Sequence, residues 1–72
     1  MGPNWTAYYD SIHKQILVIK YTEFDEEGFP TDSQVVFSVE GNDLMNYAPE
    51  EDLKEYIKEN YSDVLIDLGL EN

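Results

Sequence analysis

Residues 15–24 have the sequence QILVIKYTEF, in which β-branched and aromatic side chains predominate. Such side chains favour extended backbone, so this segment predicts a β-strand. Successive side chains of a strand point to opposite faces, which places Leu17, Ile19 and Tyr21 together on one face. The opposite face is half polar and carries Ile16, Val18, Lys20 and Thr22. We therefore expect the first face to pack in the core.

Two further strands are predicted on either side of this segment. Residues 5–10 alternate in the same way, and one face carries Trp5, Ala7 and Tyr9. Residues 34–40 alternate as well, with Val36 as the exception, and one face carries Val35, Phe37 and Val39. Residues 11–14 suit a hairpin turn, whereas residues 25–33 are rich in turn formers and predict a longer loop. This spacing suits an antiparallel meander.

The C-terminal part of the sequence has helical periodicity. Its apolar side chains recur at steps of three and four residues, at Leu53, Tyr56, Ile57, Tyr61, Val64, Leu65 and Leu68. Pro49 suits the first helical position, acidic residues follow it, and Gly69 suits the C-terminal cap. One helix over about residues 50–68 fits this pattern. A helix broken near residues 60–62, with Ser62 capping a second short helix, fits nearly as well.

The expected fold class is therefore α+β. A small three-stranded antiparallel β-sheet is followed by a C-terminal α-helix, continuous or broken near residue 61, that packs on one face of the sheet. Residues 1–72 are predicted to form a single acidic domain, because the chain is too short for two. The helix side chains Leu53, Ile57, Tyr61 and Leu65 are expected to face Leu17 and Ile19 or Val35 and Phe37.

Charge limits the classes of ligand. Sixteen carboxylates face four lysines, there is no arginine, and the net charge is −12. Nucleic acids and anionic membranes both require a basic surface, so the composition excludes them as direct ligands. The predicted partner is a basic protein surface, in particular that of a nucleic-acid-binding protein or complex.

The sequence also bears on compartment. The longest apolar run, residues 16–19, is far shorter than the ~20 residues that span a bilayer. Residues 1–4 lack the basic and apolar regions of a signal peptide. We therefore expect a cytoplasmic protein. The absence of cysteine excludes disulfides and thiolate metal sites.

A search for catalytic residues finds no working set. His13 is the sole histidine, and Ser11, two residues away in a predicted turn, does not make a nucleophile–base pair with it. Phosphate chemistry usually enlists arginine or a glycine-rich loop, and the sequence has neither. The acids near Gly28 fail the EF-hand spacing, because the glycine position counted from Asp25 is occupied by Pro30. We expect no enzymatic activity, cofactor or metal site.

The predicted binding site is a row of carboxylates on the helix. Asp52, Glu55 and Glu59 share one solvent-facing stripe at steps of three and four residues, and Asp63 is expected to continue it. Lys54 and Lys58 are predicted to be solvent-facing on the adjacent stripe. Neighbouring acids of such a row are about 5–6 Å apart, and adjacent phosphates of a DNA strand are separated by a similar distance, about 6–7 Å.

A second acidic cluster is predicted in the loop, at Glu26 and Glu27. Together, the two clusters suggest that carboxylates occupy a groove built for a phosphate backbone. In size, charge, aromatic content and lack of cysteine the chain resembles the small acidic inhibitor proteins of bacteriophages and mobile elements. These include anti-restriction, anti-CRISPR and uracil-glycosylase-inhibitor proteins, several of which imitate DNA. The resemblance implies a non-enzymatic inhibitor of a nucleic-acid-processing protein, and it assigns no residue roles because no motif is shared.

The alternative function is that of a small protein–protein interaction module or accessory subunit. Its anchors would be exposed aromatic side chains such as Trp5, Tyr8 and Tyr47, since tryptophan and tyrosine dominate interface hot spots. In that case the acidity would serve only solubility.

Overall fold

The computed structural model describes residues 4–70, which form three strands followed by helices. The elements are β1 (Trp5–Asp10), β2 (Gln15–Phe24), β3 (Pro30–Glu40), a 3₁₀ helix (Asp43–Tyr47), α1 (Glu50–Asn60) and α2 (Ser62–Asp67). The strands form one antiparallel sheet in the order β1-β2-β3. The predicted α+β class is therefore confirmed. The signal-peptide prediction concerns residues 1–4, of which the first three lie outside the described residues.

Strand β3 begins four residues earlier than predicted. The sequence suggested a loop over residues 25–33, but Pro30 already pairs with Phe24 and Ser33 pairs with Tyr21. Because Pro30 is the first residue of an edge strand, its missing N–H removes no essential bond from the sheet. The connection between β2 and β3 is therefore a tight hairpin, and the pairing extends beyond the end of β1.

The face of the sheet that meets the helices is opposite to the one predicted on β2. Ile16 and Val18 are fully buried, whereas Leu17 and Ile19 are only half-buried on the other face. The register explains this result, because Val18 pairs with Ala7, which belongs to the apolar face of β1. The neighbouring strand therefore determines which face of β2 is buried.

A β-bulge in β3 overturns a second prediction. Phe37 pairs with Val18 and Val35 pairs with Ile19, so Val36 is an additional residue on β3. A bulge of this kind changes which side chains share a face. Phe37 packs against the core, but Val35 lies on the opposite face and is 55% exposed.

The helices contribute the core side chains that their periodicity predicted. Leu53, Ile57 and Leu65 are buried, and the half-buried Tyr61 ring lies 6.4 Å, centroid to centroid, from that of Phe37. Their counterparts on the sheet are Trp5, Ala7, Ile16 and Val18. No helix of residues 4–70 is long and apolar enough to cross a membrane.

The helix is broken at Tyr61, as in the second of the two predicted arrangements. Tyr61 has φ −133° and ψ 32°, which ends α1. Its N–H still donates to the carbonyl of Ile57 at 2.8 Å, and its carbonyl accepts from Leu65 at 3.1 Å. The break therefore leaves these backbone groups satisfied. The predicted cap at Ser62 is wrong, because Tyr61 occupies the cap position without a side-chain hydrogen bond.

The two outer ends of the helices are also defined by the backbone. Pro49 is the N-terminal cap residue and not, as predicted, the first helical residue. At the other end Gly69 has φ +75°, and its N–H donates to Ile66 while that of Leu70 donates to Leu65. This pair of hydrogen bonds is a Schellman motif, so the predicted capping role of Gly69 is confirmed.

Replacing Tyr9 by phenylalanine is expected to raise the free energy of unfolding by about 1 kcal/mol. The Tyr9 hydroxyl oxygen is buried and has no hydrogen-bond partner among the residues described. Removing it relieves the cost of desolvating that group. Urea midpoints measure the effect, and Tyr47→Phe, at an exposed position, is the matched control. A loss of stability on Tyr9→Phe would contradict the assignment.

Candidate functional site

Three of the predicted carboxylates lie on one stripe of α1. The helix buries Leu53 and Ile57, while Asp52, Glu55 and Glu59 are exposed. Successive helical residues are about 100° apart, so these three acids point away from the buried side. From the first to the last of them the rise along the axis is about 10 Å. These three acids therefore lie on the exposed side of α1, as the sequence predicted.

Asp63 does not continue this stripe on the same helix. It is exposed, but it belongs to α2, and the regular helical spacing ends at Asn60. The prediction of one row of four acids on one helix is therefore wrong for its last member. Tyr61, which packs toward Phe37 and interrupts the helix, is the reason.

The two lysines of α1 behave differently from each other. Lys58 is exposed, as predicted, and its Nζ lies 3.8 Å from Oε1 of Glu55. An exposed pair of this kind is weak, because water and salt screen it. Lys54 was predicted to be solvent-facing, but it is buried, with its Nζ 4.9 Å from the centroid of the Trp5 ring. A cation over an indole face is favourable, which offsets the cost of burying this side chain.

Trp5, which Lys54 contacts, is not the exposed anchor that the sequence predicted. Its side chain is only 2% exposed, so it is a core residue and not a surface aromatic.

Near Trp5, the carboxylate of Glu50 accepts a hydrogen bond from the Thr6 hydroxyl of β1. This bond attaches the start of α1 to the edge of the sheet.

Glu26 and Glu27 occupy the tip of the β2–β3 hairpin and are exposed. The Asp25 carboxylate accepts from the N–H groups of Glu27 and Phe29, both at 2.9 Å. The N–H of Gly28, which has φ +89°, donates to the Asp25 carbonyl at 3.1 Å. These bonds are typical of a three-residue hairpin loop, and they hold the two acids in a defined position.

The end of this hairpin projects beyond β1. Pairing between β1 and β2 reaches only Lys20, so residues 21–33 form a two-stranded ribbon. The ribbon carries five acids, Glu23, Asp25, Glu26, Glu27 and Asp32. The structure therefore places Glu26 and Glu27 on the ribbon and Asp52, Glu55 and Glu59 on α1, as separate clusters on different elements.

The face of the sheet opposite Ile16 and Val18 is a further surface feature. We call the part of it formed by Tyr8, Leu17, Ile19, Tyr21 and Val35 the open sheet face. Thr6 pairs with Ile19 on the same side but is fully buried and bonded to Glu50. None of these side chains belongs to the hydrophobic core, and Tyr8 is 48% exposed. Tyr8 was predicted to be an exposed anchor, whereas Leu17 and Ile19, or else Val35 and Phe37, were predicted to face the helix. Tyr47, on the 3₁₀ helix, is exposed as predicted.

The single histidine has a structural role in the β1–β2 turn. Nδ1 of His13 lies 2.8 Å from Oδ2 of Asp10, whose carboxylate also accepts from the N–H of Ile12. The His13 side chain is the main cause that holds the pKa of Asp10 below its ordinary value. These bonds shape the hairpin turn. Within residues 4–70 no group of three or more acidic or histidine side chains is arranged to hold a metal ion.

Comparison with family models, with curated proteins and with solved structures finds no match to this chain. The geometry of the surface therefore provides the basis for assigning a function.

Added salt is expected to stabilise the fold. The net charge is −12, and repulsion among so many carboxylates opposes the compact state. Salt screens that repulsion over a Debye length of about 8 Å at physiological ionic strength. Urea midpoints at low and at moderate sodium chloride concentration measure the effect. A midpoint that stays flat or falls would show that the carboxylates are balanced locally.

Proposed function

We propose that the protein is a non-enzymatic cytoplasmic inhibitor that binds the basic surface of a nucleic-acid-processing protein. Its carboxylates take the place of phosphates in the groove of that protein. The observation that carries the proposal is the stripe of Asp52, Glu55 and Glu59, exposed on the side of α1 opposite its buried face.

The stripe is pre-organised for such a partner. Its acids lie on a helix whose other side is fixed in the core by Leu53 and Ile57. Binding therefore requires little ordering of the backbone, which reduces the entropic cost of association. Asp63 on α2 and the hairpin acids Glu26 and Glu27 add negative charge on other elements.

The carboxylates of the stripe are also free to exchange partners. Among residues 4–70, Glu55 forms an ion pair with Lys58 alone, at 3.8 Å and in solvent. A guanidinium group of the partner can replace this contact with a shorter, two-bond interaction. Charge of opposite sign on the two surfaces also accelerates encounter, and this contribution weakens as salt is added.

The test is capture of partners from a bacterial lysate by the immobilised protein. The proposal predicts that the retained protein binds nucleic acid, that sodium chloride elutes it and that duplex DNA displaces it. A retained protein that withstands both high salt and excess nucleic acid would contradict the proposal.

A second candidate function is supported by the open sheet face. With Tyr8 and Val35 about half exposed, it offers the apolar and aromatic anchors of an interaction module. This candidate predicts that partner binding resists salt and is lost on Tyr8→Ser. The inhibitor proposal predicts instead that binding depends on the carboxylates of α1.

A further inference from the structure

A shallow groove of about 370 Å³ crosses three strands of the sheet. Tyr8 of β1 and Tyr21 of β2 line one part of it, and residues 30–33 of β3 line the rest. Its volume is enough for one long side chain, at the lower end of the range of ligand pockets, roughly 300–1,000 Å³. The groove borders the apolar side chains of the open sheet face.

The carboxylates of Asp32 and Glu50 give the groove a negative electrostatic potential. Asp32 is one of its lining residues, and no lysine is among them. Oδ1 of Asp32 accepts a hydrogen bond from the N–H of Ser33 at 2.8 Å. The pKa of Tyr21 is raised, first by desolvation and to a smaller extent by the negative charge of Glu50. Glu50 is held close by its hydrogen bond with Thr6, the residue two positions before Tyr8. A cation entering the groove would therefore meet two phenol rings in a negative field.

We propose that this groove binds an arginine side chain of the partner protein, with the guanidinium stacked on a tyrosine ring and paired with the Asp32 carboxylate. Flanking apolar side chains of the partner rest on Leu17, Ile19 and Val35. The inference rests on the proposed function in that the partner presents a basic surface, and it adds a single anchor residue to that surface.

Arginine fits this groove better than lysine does. Its guanidinium is flat, more weakly hydrated and able to stack on an aromatic ring while it forms two parallel bonds with a carboxylate. Lysine has a compact, strongly hydrated charge that does neither as well. A groove that combines tyrosine rings with a carboxylate therefore favours the planar cation.

A second copy of the chain does not provide this occupant. The sequence contains no arginine, and two copies of net charge −12 repel each other. A nucleic acid is repelled for the same reason. The chemistry of the groove therefore points to a foreign, basic protein.

The test uses short peptides as probes and amide chemical shifts of the ¹⁵N-labelled protein as the readout, in 150 mM sodium chloride. The peptide acetyl-Gly-Arg-Gly-amide is compared with versions that carry citrulline or lysine. Citrulline matches the shape of arginine without its charge. We expect the arginine peptide to change the amide chemical shifts of Tyr8, Tyr21 and residues 31–33. The lysine peptide should bind with lower affinity, and the citrulline peptide should have the lowest affinity of the three.

Two variants localise the binding. Asp32→Asn and Tyr21→Leu are each expected to raise the dissociation constant of the arginine peptide by about two- to fivefold, the effect of losing one partly exposed contact. Asp32 is exposed, so the asparagine variant should fold. Asp67→Asn is the matched control, because it removes the same charge from an exposed position on α2 and should leave the affinity unchanged.

Three results would overturn the inference. They are equal binding of the citrulline peptide, shifts spread over the acids of α1 and the hairpin tip, and an equal effect of Asp67→Asn and Asp32→Asn. Failure of the inhibitor proposal is distinguishable. Reversing the charges of Glu55 and Glu59 could leave partner binding intact while the arginine peptide still binds in the groove. That result would support the arginine site and contradict the phosphate-like role of the stripe.

Discussion

Replacing Ile57 by alanine is expected to lower the free energy of unfolding by about 2–5 kcal/mol, the range for large truncations in a protein core. Ile57 is fully buried in the middle of α1, and it lies in the same cluster as Trp5, Ile16 and Val18. The loss combines the transfer energy of the deleted methyl groups with the cavity left behind. A core in a chain of this size rarely supplies more than about 3–5 kcal/mol, so much of the variant should be unfolded.

A graded series makes this prediction measurable. Ile57→Val should cost only about 0.5–1.5 kcal/mol, which keeps the variant folded. The matched control is Ile66→Ala on α2, the same substitution at a position that is 52% exposed, with an expected effect within about 0.5 kcal/mol. Urea and thermal unfolding followed by circular dichroism give the values. Equal stability of Ile57→Ala and Ile66→Ala would contradict the packing of α1 on the sheet.

Reversing the charge of both Glu55 and Glu59 to lysine is expected to raise the dissociation constant for the captured partner by about 100-fold or more, equivalent to about 2.7 kcal/mol. Each replacement exchanges a negative for a positive charge, so the net charge changes from −12 to −8. Cations then face the basic groove where the partner requires anions. Both side chains are exposed, so the fold should survive.

A double reversal elsewhere separates local from total charge. Glu40→Lys with Asp67→Lys produces the same net charge at exposed positions outside α1 and should reduce affinity far less. Binding is measured by calorimetry with the purified partner, and circular dichroism checks the fold of each variant. Undiminished binding of the α1 reversal would eliminate the phosphate-like role of the stripe and favour the open sheet face as the contact surface.

Local patterns predicted most of the fold because they depend on neighbours in the chain. The bounds of β1 and β2 and the cap at Gly69 follow from side-chain alternation and glycine chemistry. The buried face of β2 could not be predicted in this way, since both of its faces carry β-branched residues. Only the pairing of Val18 with Ala7 across the strands decides it.

The candidate site shows the same division. The exposure of Asp52, Glu55 and Glu59 follows from the apolar stripe on the opposite side of one helix. The separation of Asp63 depends on where Tyr61 packs, and the burial of Lys54 depends on the ring of Trp5. Both are contacts between elements. The groove was missed for the same reason, because its lining comes from three strands.

The order of the strands in the sheet, which is also their order in the chain, has a consequence for folding kinetics. Both hairpins close over short turns, so the loop-closure entropy for the meander is small. Joining α1 to β1 is different, because the bond between Thr6 and Glu50 spans 44 residues. The meander can therefore begin to form early, while the attachment of the helix carries the larger entropic barrier. We therefore expect the carboxylate stripe to acquire its fixed position only when α1 has joined the sheet.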